Sequence, residues 1–172
     1  MLSKEFLLEL NDTPYSVIYN DYQQFRIGSK IKNGFVAKFV TDNGHRYVVT
    51  AVQIGKTKKE REQNESSLKG GIWEIDFGLL EGGWNEFEKS KEDITGTGDQ
   101  FRVFATVFSV IDRMIKKYKP LIIVVKSKMS QGNRSRLYKR MAKQYAEEKG
   151  YKLANTKLIN GGKIQRLEFR RL

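Results

Sequence analysis

The sequence predicts an α/β (α+β) chain with a mixed, largely antiparallel sheet and two helices. It closes in the order strand, helix, strand, helix, hairpin. Three observations carry this reading. Up to residue 71, aromatic and β-branched runs alternate with turn residues, and Asn43-Gly44 sits between two such runs. Asp99–Tyr118 and Asn133–Lys149 repeat apolar residues at helical spacing. Between them, Leu121-Ile122-Ile123-Val124-Val125 is an unbroken apolar run, the mark of an interior and often parallel strand.

The elements follow in order. Lys4–Leu10, Tyr22–Ile27 and Phe35–Val40 read as strands, with Lys32-Asn33-Gly34 as a turn between the last two. Tyr47–Ile54 pairs back on Phe35–Val40 across Thr41-Asp42-Asn43-Gly44, because Asn-Gly is the strongest short hairpin signal. His45, the only histidine, falls at this hairpin and reads as an exposed turn residue. Gly55–Gly71 is charged and has no apolar period, so it reads as an exposed, mobile loop. Ile72–Leu80 alternates, with Trp73, Ile75 and Phe77 inward and Glu74 and Asp76 outward. Glu81–Asp93 reads as an acidic loop.

Asp99–Tyr118 is apolar on most of its surface. Only a stripe of Arg102, Thr106, Ser109, Arg113 and Lys116 is polar, so the helix is expected to be sandwiched against a sheet. Pro120 ends it. The second helix buries Leu137, Tyr138, Met141, Ala142, Tyr145 and Ala146, and Gly150 terminates it. Tyr151–Leu158 and Ile164–Arg170 form a hairpin around Asn160-Gly161-Gly162. Strand, helix and parallel strand imply a right-handed crossover. A length of 172 residues suits one domain, with an antiparallel part at 1–71 and a second part at 72–172.

Composition removes several chemistries. Cysteine is absent, so a thiol nucleophile, a disulfide and a Cys-based zinc site are excluded. A single histidine supports neither a His-based metal site nor a Ser-His-Asp arrangement, and no metal is expected. No stretch approaches the ~18 apolar residues of a membrane span, and Met1–Glu5 opens no signal-like core. A soluble, cytoplasmic protein is expected.

Charge is unevenly placed. The chain carries +12 overall, but residues 111–172 hold 18 Lys+Arg against 4 Asp+Glu, whereas 1–110 hold 14 against 16. Such polarisation points to a polyanionic partner: nucleic acid, an acidic protein or a phosphorylated ligand. Arg136, Lys139, Arg140 and Lys143 recur at i, i+3, i+4 and i+7, on the face of the second helix opposite its apolar stripe. Arg134, Lys126 and Lys128 lie close in sequence. This basic ridge suits DNA or RNA phosphates, or is simply a solvated face. No zinc finger, RNA-recognition signature or helix-turn-helix pattern supplies base readout.

Two further features could carry chemistry. Ile94-Thr95-Gly96-Thr97-Gly98-Asp99 precedes the long helix. Gly96, Thr97 and Gly98 either let the backbone cradle a pyrophosphate at a helix N-terminus or form a turn capped by Asp99 or Thr97. Glu74 and Asp76 lie on one strand face roughly 7 Å apart, as a paired-carboxylate site or a solvent-facing pair.

The element order from Ile72 onward resembles the core of the GNAT acyltransferases. The glycines of Gly96-Thr97-Gly98 match that family's pyrophosphate turn, and Leu137-Tyr138 matches the end of its second-helix motif. Asn133 stands two residues too close to that end, and Arg134 occupies the place of an alanine. The resemblance implies acetyl-CoA phosphates at Gly96, Thr97 and Gly98, Tyr138 as general acid, and Glu74 or Asp76 as base. The incomplete motifs imply a degenerate, non-catalytic member. The long helix, the Ser135–Tyr138 helix start and the terminal hairpin are also similar to small proteins of tailed bacteriophages. That implies a viral accessory or virion-associated protein, with nucleic acid or viral proteins as partners. The expected function is polyanion binding on a degenerate GNAT-like fold. The alternatives are an active N-acyltransferase and a structural or assembly protein that uses exposed aromatics in Glu81–Phe87.

Overall fold

The computed structural model describes residues 13–64, 67–80, 90–91, 100–128 and 133–172. For 79–80, 90–91, 100–101, 127–128, 133–138 and Met141 the backbone alone is described. The strand expected at Lys4–Leu10, most of Glu81–Asp93 and the turn Ile94–Asp99 lie outside the described residues.

The elements run β1 (Ile18–Ile27), β2 (Lys30–Val40), β3 (Arg46–Gly55), α1 (Lys58–Glu62), β4 (Ile72–Leu80), β5 (Ser90–Lys91), α2 (Gln100–Tyr118), β6 (Ile122–Lys128), α3 (Asn133–Glu148), β7 (Tyr151–Ile159) and β8 (Ile164–Arg171). One mixed sheet has the order β1-β2-β3-β4-β6-β8-β7, with short β5 beside β4. Every pairing is antiparallel except β4 with β6, the two strands joined through α2. The α/β class and the largely antiparallel sheet are as the sequence indicates.

The β2–β3 hairpin closes as expected. Gly44 has φ +80°, and the Thr41 and His45 backbones bond across the turn at 2.9 Å. His45 is half-buried rather than exposed, and its N–H donates to Thr41 Oγ1 at 3.1 Å. The turn expected at Lys32–Gly34 is instead strand. The β1–β2 hairpin turns earlier, at Gly28, whose φ is +61°. Gly34 is there for close approach, since a Cβ on it would run into the Ala51 carbonyl oxygen.

Gly55–Gly71 is also more than an exposed loop. Thr57 caps α1 in a capping box with Glu60, and Glu60 is buried at 6% exposure. The Glu60 carboxylate accepts from Gly71 N at 2.6 Å and Thr57 N at 2.8 Å. Lys56 Nζ donates to the carbonyls of Ser67 and Lys69, and the Gln53 amide to those of Leu68 and Gly70. A five-residue helix is too short to print an apolar period in the sequence. Likewise, the acidic loop contributes β5, which pairs with Leu79 and Leu80.

Both long helices cover one face of the sheet. Trp73, Ile75, Val49, Val103, Val107, Met114, Ile123 and Phe169 belong to a single buried cluster. The Trp73 and Tyr118 rings stack with centroids 4.8 Å apart, and Phe77 meets Phe104 edge-on at 6.3 Å. Thus α2 runs antiparallel to β4, and Trp73, Ile75 and Phe77 point inward as expected. Tyr145 of α3 stacks on Phe108 of α2 at 4.5 Å and donates its hydroxyl to the Phe108 carbonyl at 2.9 Å. A cavity of about 30 Å³ remains between the helices, lined by Phe108, Ile111, Ala142 and Tyr145 among others. The opposite sheet face has its own smaller cluster of Val36 and Val48, packed by Phe25.

The polar stripe of α2 is largely covered by the chain leading into β1. Thr106 is fully buried and accepts from Tyr15 N at 2.9 Å. Arg102 donates to the Thr13 carbonyl at 2.8 Å. At the other end of the sheet, the β7–β8 register shifts between Leu153 and Asn155, leaving Ala154 as an extra residue.

Candidate functional site

The site is built around β4. Its alternation sends Trp73 and Ile75 to the helix side and Glu74 and Asp76 to the other face. The parallel pairing with β6 spans four residue pairs and ends at Ile75 with Val125. Both strands run on, β4 to Leu80 and β6 to Lys128. Farther along the same edge, β5 takes Leu79 and Leu80. Asp76, Phe77 and Gly78 lie between these two recorded pairings.

Helix starts gather at this end. Phe104, in the second turn of α2, lies at Phe77, and α3 begins at Asn133, shortly after β6 ends. The carboxyl ends of parallel strands, faced by positive helix N-termini, are where open α/β sheets hold ligands. The expected pyrophosphate residues Gly96, Thr97 and Gly98 lie outside the described residues. Tyr138 is placed in α3 by its backbone, and its side chain lies outside the description.

The expected bases differ in their surroundings. Glu74 is half-buried and accepts from Lys126 Nζ at 2.8 Å. Asp76 is half-buried beside Thr50, with which it is paired in register. Next along this face, Glu168 is held by Arg166 at 3.0 Å and Arg170 at 3.4 Å. Lys126 therefore sits across the sheet from α3, not with the ridge its sequence position suggested.

Of the ridge residues, Lys139 is half-buried, and Arg140 and Lys143 are exposed. Among the described residues, neither Arg140 nor Lys143 has an ion-pair partner. The side chains of Arg134 and Arg136 lie outside the description. Burial raises the Tyr145 phenol well above its ordinary value, with help from Asp112 and Glu148.

A further cluster escapes sequence reading. Arg113 of α2 makes a two-pronged contact with Asp21 of β1 at 2.6 and 3.0 Å and lies over the Tyr19 ring at 3.8 Å. Lys117 adds a third charge to Asp21 at 3.5 Å. The Arg113 hydrogen bonds hold the Asp21 carboxyl below its usual value, against the opposing pull of burial. Asp112 bridges Lys116 at 2.6 Å and Lys149 of α3 at 2.8 Å. Burial raises its carboxyl, but those two lysines outweigh it, and the net shift is downward. An open hollow of about 460 Å³ lies along Ser109, Asp112, Arg113, Lys116 and Lys117. Only the Asp112–Lys116 spacing was visible in sequence, because Asp21 and Arg113 lie 92 residues apart. These acids and bases neutralise one another and tie β1 and α3 to α2.

Among the described residues no helix is long and apolar enough to cross a membrane. No family model, curated protein or solved structure matches this chain.

Proposed function

We propose that this chain binds a polyanion on a GNAT-like frame that no longer transfers acyl groups. The observation that carries this is the pairing pattern of its charges. Glu74, Glu168, Asp112 and Asp21 are each already joined to a Lys or Arg, while Arg140 and Lys143 stand exposed without an acid among the described residues. The excess positive charge of residues 111–172 is thus left for an external anion. Loss of catalysis is supported at Glu74, because its carboxylate is already engaged by Lys126 Nζ at 2.8 Å. Nucleic acid is the favoured partner. Likeness to tailed-phage proteins adds that the chain acts as a viral accessory in the host cytoplasm or the virion, where viral proteins are further partners.

Binding to duplex DNA and to RNA across a salt series tests the proposal. We expect affinity to fall steeply with salt, and to weaken when Arg136, Lys139, Arg140 and Lys143 are reversed to Glu. No binding at low salt would remove the nucleic-acid reading.

One observation favours an active acyltransferase instead. The recorded parallel β4–β6 pairing ends at Ile75 with Val125, at the end where the helices begin, and strands parting beyond that point would suit the pantetheine arm of an acyl-CoA. Gly96, Thr97 and Gly98 would hold its phosphates, and the bound thioester would supply the activated acyl group. Acetyl-CoA would then raise the melting temperature, and Gly98→Glu would abolish the rise. No shift at millimolar acetyl-CoA counts against this reading.

A further inference from the structure

The C-terminal cations do not all lie on α3. On the sheet face turned away from the helices, three strands bring basic residues into rows. Lys126 of β6 pairs in register with Arg166 of β8, and Arg166 pairs with Lys157 of β7. Two residues farther on from Glu168, Arg170 of β8 pairs with Lys152 of β7. Cross-strand partners point to the same side, and the contacts agree: Arg166 and Arg170 both reach Glu168, and Lys126 reaches Glu74 on that face. The five cations outnumber the two acids they contact, Glu74 and Glu168. Lys152 and Lys157 are exposed and, among the described residues, have no acidic partner.

This arrangement depends on the bulge at Ala154. Lys152 and Lys157 are five positions apart, so a regular strand would send them to opposite faces. The extra residue resets the alternation. Lys152 before it and Lys157 after it then both align with the arginines of β8. Bulges re-aim side chains in this manner, at a cost in ladder hydrogen bonding.

We infer that the face of β6, β8 and β7 opposite the helices is a docking surface for the phosphate backbone of a nucleic-acid duplex. Charge complementarity selects the occupant. The surface sets these cations in two rows about 10 Å across its three strands, around Glu168 and the buried Ile122 and Val124 of β6. Among the described residues it presents no aromatic ring on which an unstacked base could lie, so it suits paired strands read through their phosphates. The inference rests on the polyanion reading above and assigns it a second surface, across the sheet from the α3 ridge.

The test compares two charge-matched double variants of the full chain, K152E/K157E and R140E/K143E. Binding of a mixed-sequence 30-base-pair DNA is measured over a salt series, with a thermal melt as the folding control. K152E/K157E is expected to weaken binding at low salt and to flatten the salt slope by up to about 1.8, at about 0.9 for each phosphate no longer neutralised. K152Q/K157Q should show the same direction with a smaller effect, and it keeps the test valid if the reversal disturbs the fold. Wild-type slope and affinity in K152E/K157E, with weakening confined to R140E/K143E, would overturn the inference and leave polyanion binding standing. Preference for single strands over the duplex would also overturn it. Absence of any wild-type binding would instead bring down the reading on which it rests.

Discussion

Glu60 illustrates how one side chain organises a stretch that looks irregular in sequence. One of its oxygens accepts from Gly71 N, and the other from the Thr57 backbone and hydroxyl. Both oxygens must be acceptors. An amide at this position would turn an N–H group toward a donor. Glu60→Gln is therefore expected to lose nearly as much stability as Glu60→Ala, about 2 kcal/mol each, in urea unfolding. Burial raises the Glu60 carboxyl, but the hydrogen bonds from Thr57 and Gly71 outweigh it, and its native value falls below the ordinary 4.5. Asp21 and Asp112 are depressed as well. Depressed carboxylates stabilise the fold fully above their unfolded values and lose that contribution as pH falls through their native ones. Melting temperature should thus hold near neutrality and drop below about pH 4, and Glu60→Ala should flatten that drop. Asp21 adds little, since its pair with Arg113 is exposed enough for water to screen it. Elsewhere, burial pushes the Tyr151 phenol up to about 12, and its hydroxyl donates to the Pro120 carbonyl at 2.6 Å. Tyr151→Phe should cost about 1–2 kcal/mol by leaving that carbonyl unpaired.

At the scale of elements, legibility followed periodicity. β4 matched its expected span, Ile72–Leu80, because its alternation is unbroken. The two long helices agreed with expectation to within a residue at each end, since their apolar repeats are long and Pro120 and Gly150 mark their ends. Gly34 misled because glycine signals both a turn and a close backbone crossing, and only the neighbouring strand distinguishes them. Gly34→Ala is expected to destabilise by at least about 2 kcal/mol in urea unfolding, whereas a true turn glycine with open space, such as Gly28, should tolerate the same change better. The pairing of Lys126 with Glu74 was not readable either. The two are 52 residues apart, and only the parallel alignment of β4 with β6 joins them. The end of the β4–β6 pairing at Ile75 with Val125 was equally hidden, because a strand's sequence does not state where its neighbour stops.

At the scale of the molecule, one sheet joins the acidic and basic stretches of the chain, with β3 pairing along β4 and β4 along β6. The uneven charge was legible from composition, but its division between two opposite surfaces was not. Sequence placed it on the α3 ridge alone. High salt should release any bound polyanion while leaving the melting temperature of the free chain nearly unchanged, because its core is apolar and its described ion pairs are largely at the surface. A light-scattering titration with heparin across salt, beside a melt of the free chain, checks both halves of that statement. The single extra residue in β7 has a genetic consequence. Removing the Ala154 codon would restore a regular strand in which Lys152 and Lys157, then four positions apart, still share one face and keep their partners on β8. One in-frame deletion there would thus keep the electrostatic map of the outer hairpin, because the bulge carries a residue whose loss turns no neighbour to the other face.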